Sequence, residues 1–100
     1  GFTNAMKYLL KKLEKKKNRS ATFICCLSFK SPNQKIINVV GQIKGTISKE
    51  ILGKKGFGYD PIFIPKNRRK TFGEIPKFKK MKMDHRFIAF RKLKKRVKIL

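Results

Sequence analysis

The spacing of apolar residues changes along this chain and divides it into elements. Met6, Leu9, Leu10 and Leu13 recur at helical spacing among lysines, which predicts an amphipathic helix from about Asn4 to Lys17 capped by Thr3. Ala21, Phe23, Cys25, Leu27 and Phe29 then alternate with Thr22, Ile24, Cys26 and Ser28, the pattern of a strand with one strongly apolar face. Ser31-Pro32-Asn33-Gln34 reads as a turn and Lys35 to Ile43 as a second strand, so an antiparallel hairpin is expected. Gly41 and Gly45 mark a bulge or a close backbone approach near its end.

Ile47, Ile51 and Leu52 lead into a glycine loop, Gly53 to Gly58. Beyond it, Pro61-Ile62-Phe63-Ile64-Pro65 predicts a short strand near a sheet edge, because proline cannot donate to a central ladder. Lys66 to Lys70 is a basic turn, Thr71 to Glu74 resumes extended structure, and Pro76 permits a new helix. From His85 onward, Ala89, Phe90, Leu93, Val97 and Leu100 form a second helical stripe. Helix, hairpin, strands and helix in that order give an α/β fold of α+β character: a mixed sheet with an antiparallel hairpin and flanking helices. No internal repeat or domain boundary interrupts it.

Charge complicates the picture. Of 100 residues, 28 are Lys or Arg and 5 are Asp or Glu, a net charge of +23 that opposes compaction by self-repulsion. Such a balance suits a polyanion: nucleic acid, an anionic membrane or a phosphate-bearing ligand. The cations are spread over the whole chain, and the richness in Lys, Ile, Asn and Phe also fits a biased codon supply. Cys25 and Cys26 point to opposite faces of a strand, which prevents their mutual pairing and leaves them as core cysteines of a reducing compartment. No apolar run reaches bilayer-spanning length, and no membrane partner is expected.

The candidate chemistry is concentrated between Gly53 and Arg86. Glycines at 53, 56 and 58 allow sharp turns and close approach to a ligand, while Phe57 and Tyr59 offer rings to a planar base. Asp60, before Pro61, is held extended, which fixes the direction of its carboxylate. Lys80 and the pair His85-Arg86 gather hydrogen-bond donors, and a guanidinium can donate two parallel bonds to the keto oxygen and ring nitrogen of a 6-oxopurine. An adenine in the same place leaves buried donors unpaired. No nucleophile–base pair, phosphate loop or cluster of carboxylates accompanies these residues, so the chain reads as a binding half without a catalytic centre.

Gly56-Phe57-Gly58-Tyr59-Asp60-Pro61-Ile62-Phe63, followed by Lys70-Thr71, Glu74, Lys80 and His85-Arg86, resembles the C-terminal half of the Ham1/RdgB family, the inosine triphosphate pyrophosphatases or XTP/dITP diphosphatases. The resemblance spans residues 1–100 as the C-terminal portion of one domain. It implies Mg²⁺-dependent hydrolysis of ITP, dITP and XTP to monophosphate and pyrophosphate, by cytoplasmic homodimers with an elongated mixed sheet. It further implies that Phe57, Gly58, Tyr59, Asp60, Lys80, His85 and Arg86 bind substrate, with Phe57 stacking on the purine and Arg86 reading the 6-oxo group. The family's Thr/Ser-Gly-Asn-x-x-Lys loop and Asp-Asp-Ser-Gly segment, source of the metal ligand and general base, have no counterpart here. They are expected before Gly1 or on another chain, so this half is expected to be inactive alone. Asp84 replaces a usual Ser, Gly73 a usual Ala and Arg69 a usual Gly, and Asp84 sets a negative charge beside the donors. The alternatives are a small basic nucleic-acid-binding module or a non-functional truncated product.

Overall fold

The alternating stretch forms strand β1 (Ser20–Lys30), which pairs in antiparallel register with β2 (Ile36–Ile47) in a computed structural model that describes residues 1–33 and 35–97. Gln34 of the predicted turn and Leu100 of the predicted stripe lie outside those residues. The register runs without a break from Ser20↔Thr46 to Lys30↔Ile36, so neither glycine marks a bulge. Both instead permit close approach. A Cβ on Gly41 would lie 2.8 Å from the Ala89 Cβ, and one on Gly45 would lie 2.7 Å from the Phe63 ring. β2 therefore runs four residues past the predicted end, far enough for β3 (Phe63–Pro65) to pair antiparallel with it as the opposite edge.

The odd-numbered residues of the hairpin face the core, which comes in two parts. At one end, Phe23 stacks on Phe63 with centroids 3.9 Å apart, and Phe72 packs beside them. Met6, Ile47, Ile62 and Ile75 complete that cluster. At the other end, Ile37 and Val39 meet Ala89 beneath helix α3 (His85–Val97), with Leu93 and Val97 packed against them. Ile24, Cys26 and Val40 face solvent on the reverse of the sheet, so Cys26 is not the core residue expected. Cys25 is half-buried, and both thiols are free.

The first helix, α1 (Phe2–Leu13), starts before the predicted Asn4 and stops short of Lys17. Gly1 is its N-cap, and Thr3 makes no capping bond. Its end follows from the apolar stripe, which finishes at Leu13, and from Arg19. That guanidinium donates to the Leu13, Ile47 and Ser48 carbonyls at 2.7, 2.9 and 2.6 Å, satisfying the helix C-terminus and tying it to β2. The predicted strand Pro61–Pro65 is split: Asp60–Ile62 forms a 3-10 turn and only the remainder extends. Thr71 to Glu74 is a tight turn and not an extended segment, because Thr71 N–H bonds the Glu74 carboxylate at 3.0 Å and Glu74 N–H returns to the Thr71 carbonyl at 3.0 Å. Pro76 precedes the short helix α2 (Lys77–Lys80). Among the described residues, no helix is long and apolar enough to cross a membrane.

Candidate functional site

Gly53, Gly56 and Gly58 all adopt positive φ, and the loop they form is held from below by Asp60. The Asp60 carboxylate accepts the Phe57 N–H at 2.7 Å, and the Asp60 N–H returns to the Phe57 carbonyl at 3.2 Å. A Cβ on Gly56 would fall within 2.8 Å of the Asp60 Cβ, so only glycine leaves room for this carboxylate. The turn at Thr71 braces the other side: Lys55 N–H reaches the Gly73 carbonyl at 2.9 Å and Thr71 Oγ1 the Leu52 carbonyl at 2.6 Å.

Lys80 joins this loop to α3. Its ammonium lies 2.8 Å from Asp60 and 3.3 Å from Asp84, and all three side chains are nearly inaccessible to water. Asp84 also accepts the Phe87 N–H at 2.9 Å, the bond of an N-cap, which fixes the start of α3. The aspartate that replaces the usual serine is therefore turned toward Lys80 and the helix, away from solvent. Burial of this kind demands pairing, and each carboxylate has both an N–H and an ammonium.

Above this buried frame lies a cleft of about 560 Å³, lined by Phe57, Met81, Arg86, Phe87 and Phe90, with Lys77 at its edge. Arg86 holds its guanidinium over the Phe57 ring, 5.2 Å from the centroid. The cleft thus offers aromatic faces, a forked donor and a second cation, the chemistry that holds a planar, hydrogen-bonding, anionic ligand.

The seven residues singled out from sequence separate into groups. Phe57 and Arg86 face the cleft together, and Lys80 reaches its floor. Asp60 is buried beneath the loop. Gly58 and Tyr59 turn to α1, where Phe2 meets both Phe57 and Tyr59 edge-on at 5.3 and 5.8 Å. His85 is aimed at the core, edge-on to Phe23 with ring centroids 5.0 Å apart, and its Nδ1 is buried without a partner. Burial lowers its pKa; Asp84 pulls the other way, and Arg86 and Lys80 add to the depression.

Sequence reading missed Phe87, and it placed Phe90 in the second apolar stripe with no part in the site, whereas Phe90 is 57 % exposed and lines the cleft. The available signal was spacing: Arg86 and Phe90 stand one helical turn apart and share a side of α3. Among the described residues, no three histidine, cysteine or acidic side chains gather to hold a metal.

Fold and cleft together define an α+β structure, with a three-stranded antiparallel sheet and a cleft at its α2–α3 side. The chain belongs to the Ham1 family, whose model matches residues 2–96. It is 40% identical over 93 residues to a protein of Ignicoccus hospitalis named dITP/XTP pyrophosphatase, a match covering 93% of this chain and 50% of that protein. A Saccharolobus solfataricus protein of the same name is 46% identical over 91 residues, covering 90% and 46%. The Staphylococcus aureus Ham1 protein superposes with a TM-score of 0.92 at 31% identity, covering 98% of this chain and 51% of that one. A Coxiella burnetii HAM1 protein gives 0.89 at 29% identity, covering 99% and 52%. The chain spans about half the length of the curated relatives it matches.

Proposed function

We propose that this chain forms the base-recognition side of a site that hydrolyses non-standard purine triphosphates (ITP, dITP, XTP) to monophosphate and pyrophosphate. The observation that carries this reading is Arg86 poised over the face of Phe57 at the mouth of a cleft. An entering purine exchanges for the guanidinium on the Phe57 ring, and the freed fork then donates to its 6-oxo oxygen and adjacent nitrogen. Lys80 and Asp60 hold the two walls in register, Gly58 and Tyr59 set the loop against Phe2, and His85 anchors the first turn of α3.

Mg²⁺ does not fit the residues present. Asp60 and Asp84 are both spent on Lys80 and backbone N–H groups, and the described residues hold no other ligand cluster. In this reading the phosphate- and metal-handling groups come from residues outside this sequence, in cis or in trans. The cytoplasmic homodimer implied by the family belongs to that whole assembly.

The test is binding of dITP and dATP to the chain, measured by titration calorimetry alongside Arg86→Ala. The expected preference for dITP shrinks by roughly 5- to 150-fold in the variant, the 1–3 kcal/mol of a good bidentate contact. An equal fall for both nucleotides, or no change, refutes base reading by Arg86. Robust pyrophosphate release by this chain alone with Mg²⁺ refutes the division of labour.

A further inference from the structure

One ring suffices to stack one base, yet Phe90 opens into the same cleft as Phe57 and each residue is more than half exposed. From it, α3 leads away carrying exposed Arg91, Lys94, Lys95 and Arg96. No carboxylate opposes them on α3 itself: Asp84, just ahead of it, is buried on Lys80, and Glu74 is engaged by the Thr71 N–H. Lys92 is excluded from the set, because its ammonium donates to the Val40 carbonyl at 2.8 Å. A mononucleotide needs one stacking face and a few cations near its phosphates; a second ring followed by a cationic helix exceeds that need.

We propose that the cleft also accepts a base presented on single-stranded nucleic acid, with Phe90 stacking a neighbouring base and α3 following the phosphates. The inference rests on the base-recognition reading of this cleft. The helix is 13 residues, or about 20 Å, long, which suits a site of roughly four nucleotides, the lower end for single-strand binding surfaces. Interleaved aromatics favour a single strand over a duplex, whose bases are already stacked. The net charge of +23 supplies the complementarity to a polyanion. With about four phosphates neutralised, log K falls against log salt with a slope near −3 for a single strand, or about 50-fold between 50 and 200 mM.

Fluorescence anisotropy of a labelled oligodeoxyinosinate, whose bases carry the 6-oxo group, with labelled polyglutamate as the polyanion control, tests this on the whole chain. The expected result is that salt dependence for the oligonucleotide, far weaker polyglutamate binding, and a roughly 5- to 150-fold loss in Phe90→Ala at fixed salt with the slope retained. The double variant Arg91→Glu/Lys94→Glu makes the slope shallower. Polyglutamate binding as tight as the oligonucleotide, or an unchanged affinity in Phe90→Ala, overturns the proposal and leaves only non-specific charge. Titrating dITP into the same preparations keeps two failures apart. If dITP binds with dependence on Arg86 but the oligonucleotide does not bind, this inference alone falls. If dITP shows no dependence on Arg86, the base-reading proposal beneath it falls as well.

Discussion

Replacing Lys80 with methionine tests the buried frame on which the cleft is built. The ammonium stands 2.8 Å from Asp60 and 3.3 Å from Asp84, and the three side chains expose only 9%, 3% and 5% of their surface. Methionine matches the aliphatic stem and its packing near Phe72, so the substitution removes the charge with little change of volume. Each aspartate keeps one N–H partner, from Phe57 or Phe87, but the two negative charges then face each other without a cation. Removing one partner of a buried ion pair costs about 3–5 kcal/mol, because the remaining charge stays desolvated. Against a total of about 5–15 kcal/mol, that lowers the folded-to-unfolded ratio a hundredfold to several thousandfold. Urea unfolding followed by far-ultraviolet circular dichroism reads the change, with the slope checked for two-state behaviour. The companion is Lys80→Met/Asp60→Asn, which removes one orphaned charge while an amide oxygen can still accept the Phe57 N–H. The double variant is expected to be more stable than Lys80→Met alone. A loss below about 1 kcal/mol in Lys80→Met, the value of an exposed pair, refutes the buried frame. So does a double variant less stable than the single one.

Two further outcomes follow from the packing of α3. Gly41→Ala places a methyl group against the His85 carbonyl and the Ala89 backbone, and overpacking of this kind costs about 1–3 kcal/mol or more; a melting temperature equal to that of the parent chain contradicts the contact. His85 has its pKa lowered by burial from the ordinary 6.5, so the unfolded chain binds that proton more tightly than the folded one. Its contribution to stability is complete above about pH 6.5 and is lost as pH falls below that value toward the lowered one. Melting temperatures between about pH 7.5 and 5.5 should therefore fall, and His85→Gln should flatten part of the slope; an unchanged slope assigns it to other groups.

Period and punctuation made the hairpin, the two long helices and the edge position of Phe63–Pro65 legible in the sequence. Their ends were less so, because long-range partners set them. α1 stops where Arg19 takes the Leu13 carbonyl, and β2 continues because β3 pairs with its last residues. Neither contact leaves a trace in local periodicity. Phe90 shows the limit of a stripe: Ala89, Leu93 and Val97 are packed on the sheet, but the neighbouring apolar residue at the stripe's edge opens to solvent. Asp84 was legible as a carboxylate near the donors, whereas its N-cap bond and its pairing with Lys80 required the fold.

The candidate site therefore has two layers whose chemistry differs. Asp60, Lys80 and Asp84 lie beneath the cleft and already satisfy one another; a ligand bonding any of them strongly would have to break a buried ion pair. Phe57, with Phe2 against its edge, meets Arg86 across its face at the cleft mouth, and an exposed cation–π contact is worth about 0.5–1 kcal/mol. A purine that stacks on the ring and accepts two guanidinium bonds can exceed that value several times over. The same sequence feature, a cluster of charged residues around a glycine loop, thus carries both roles. The buried charges set the distance between loop and helix, and the contact weak enough to exchange is where the proposed recognition takes place.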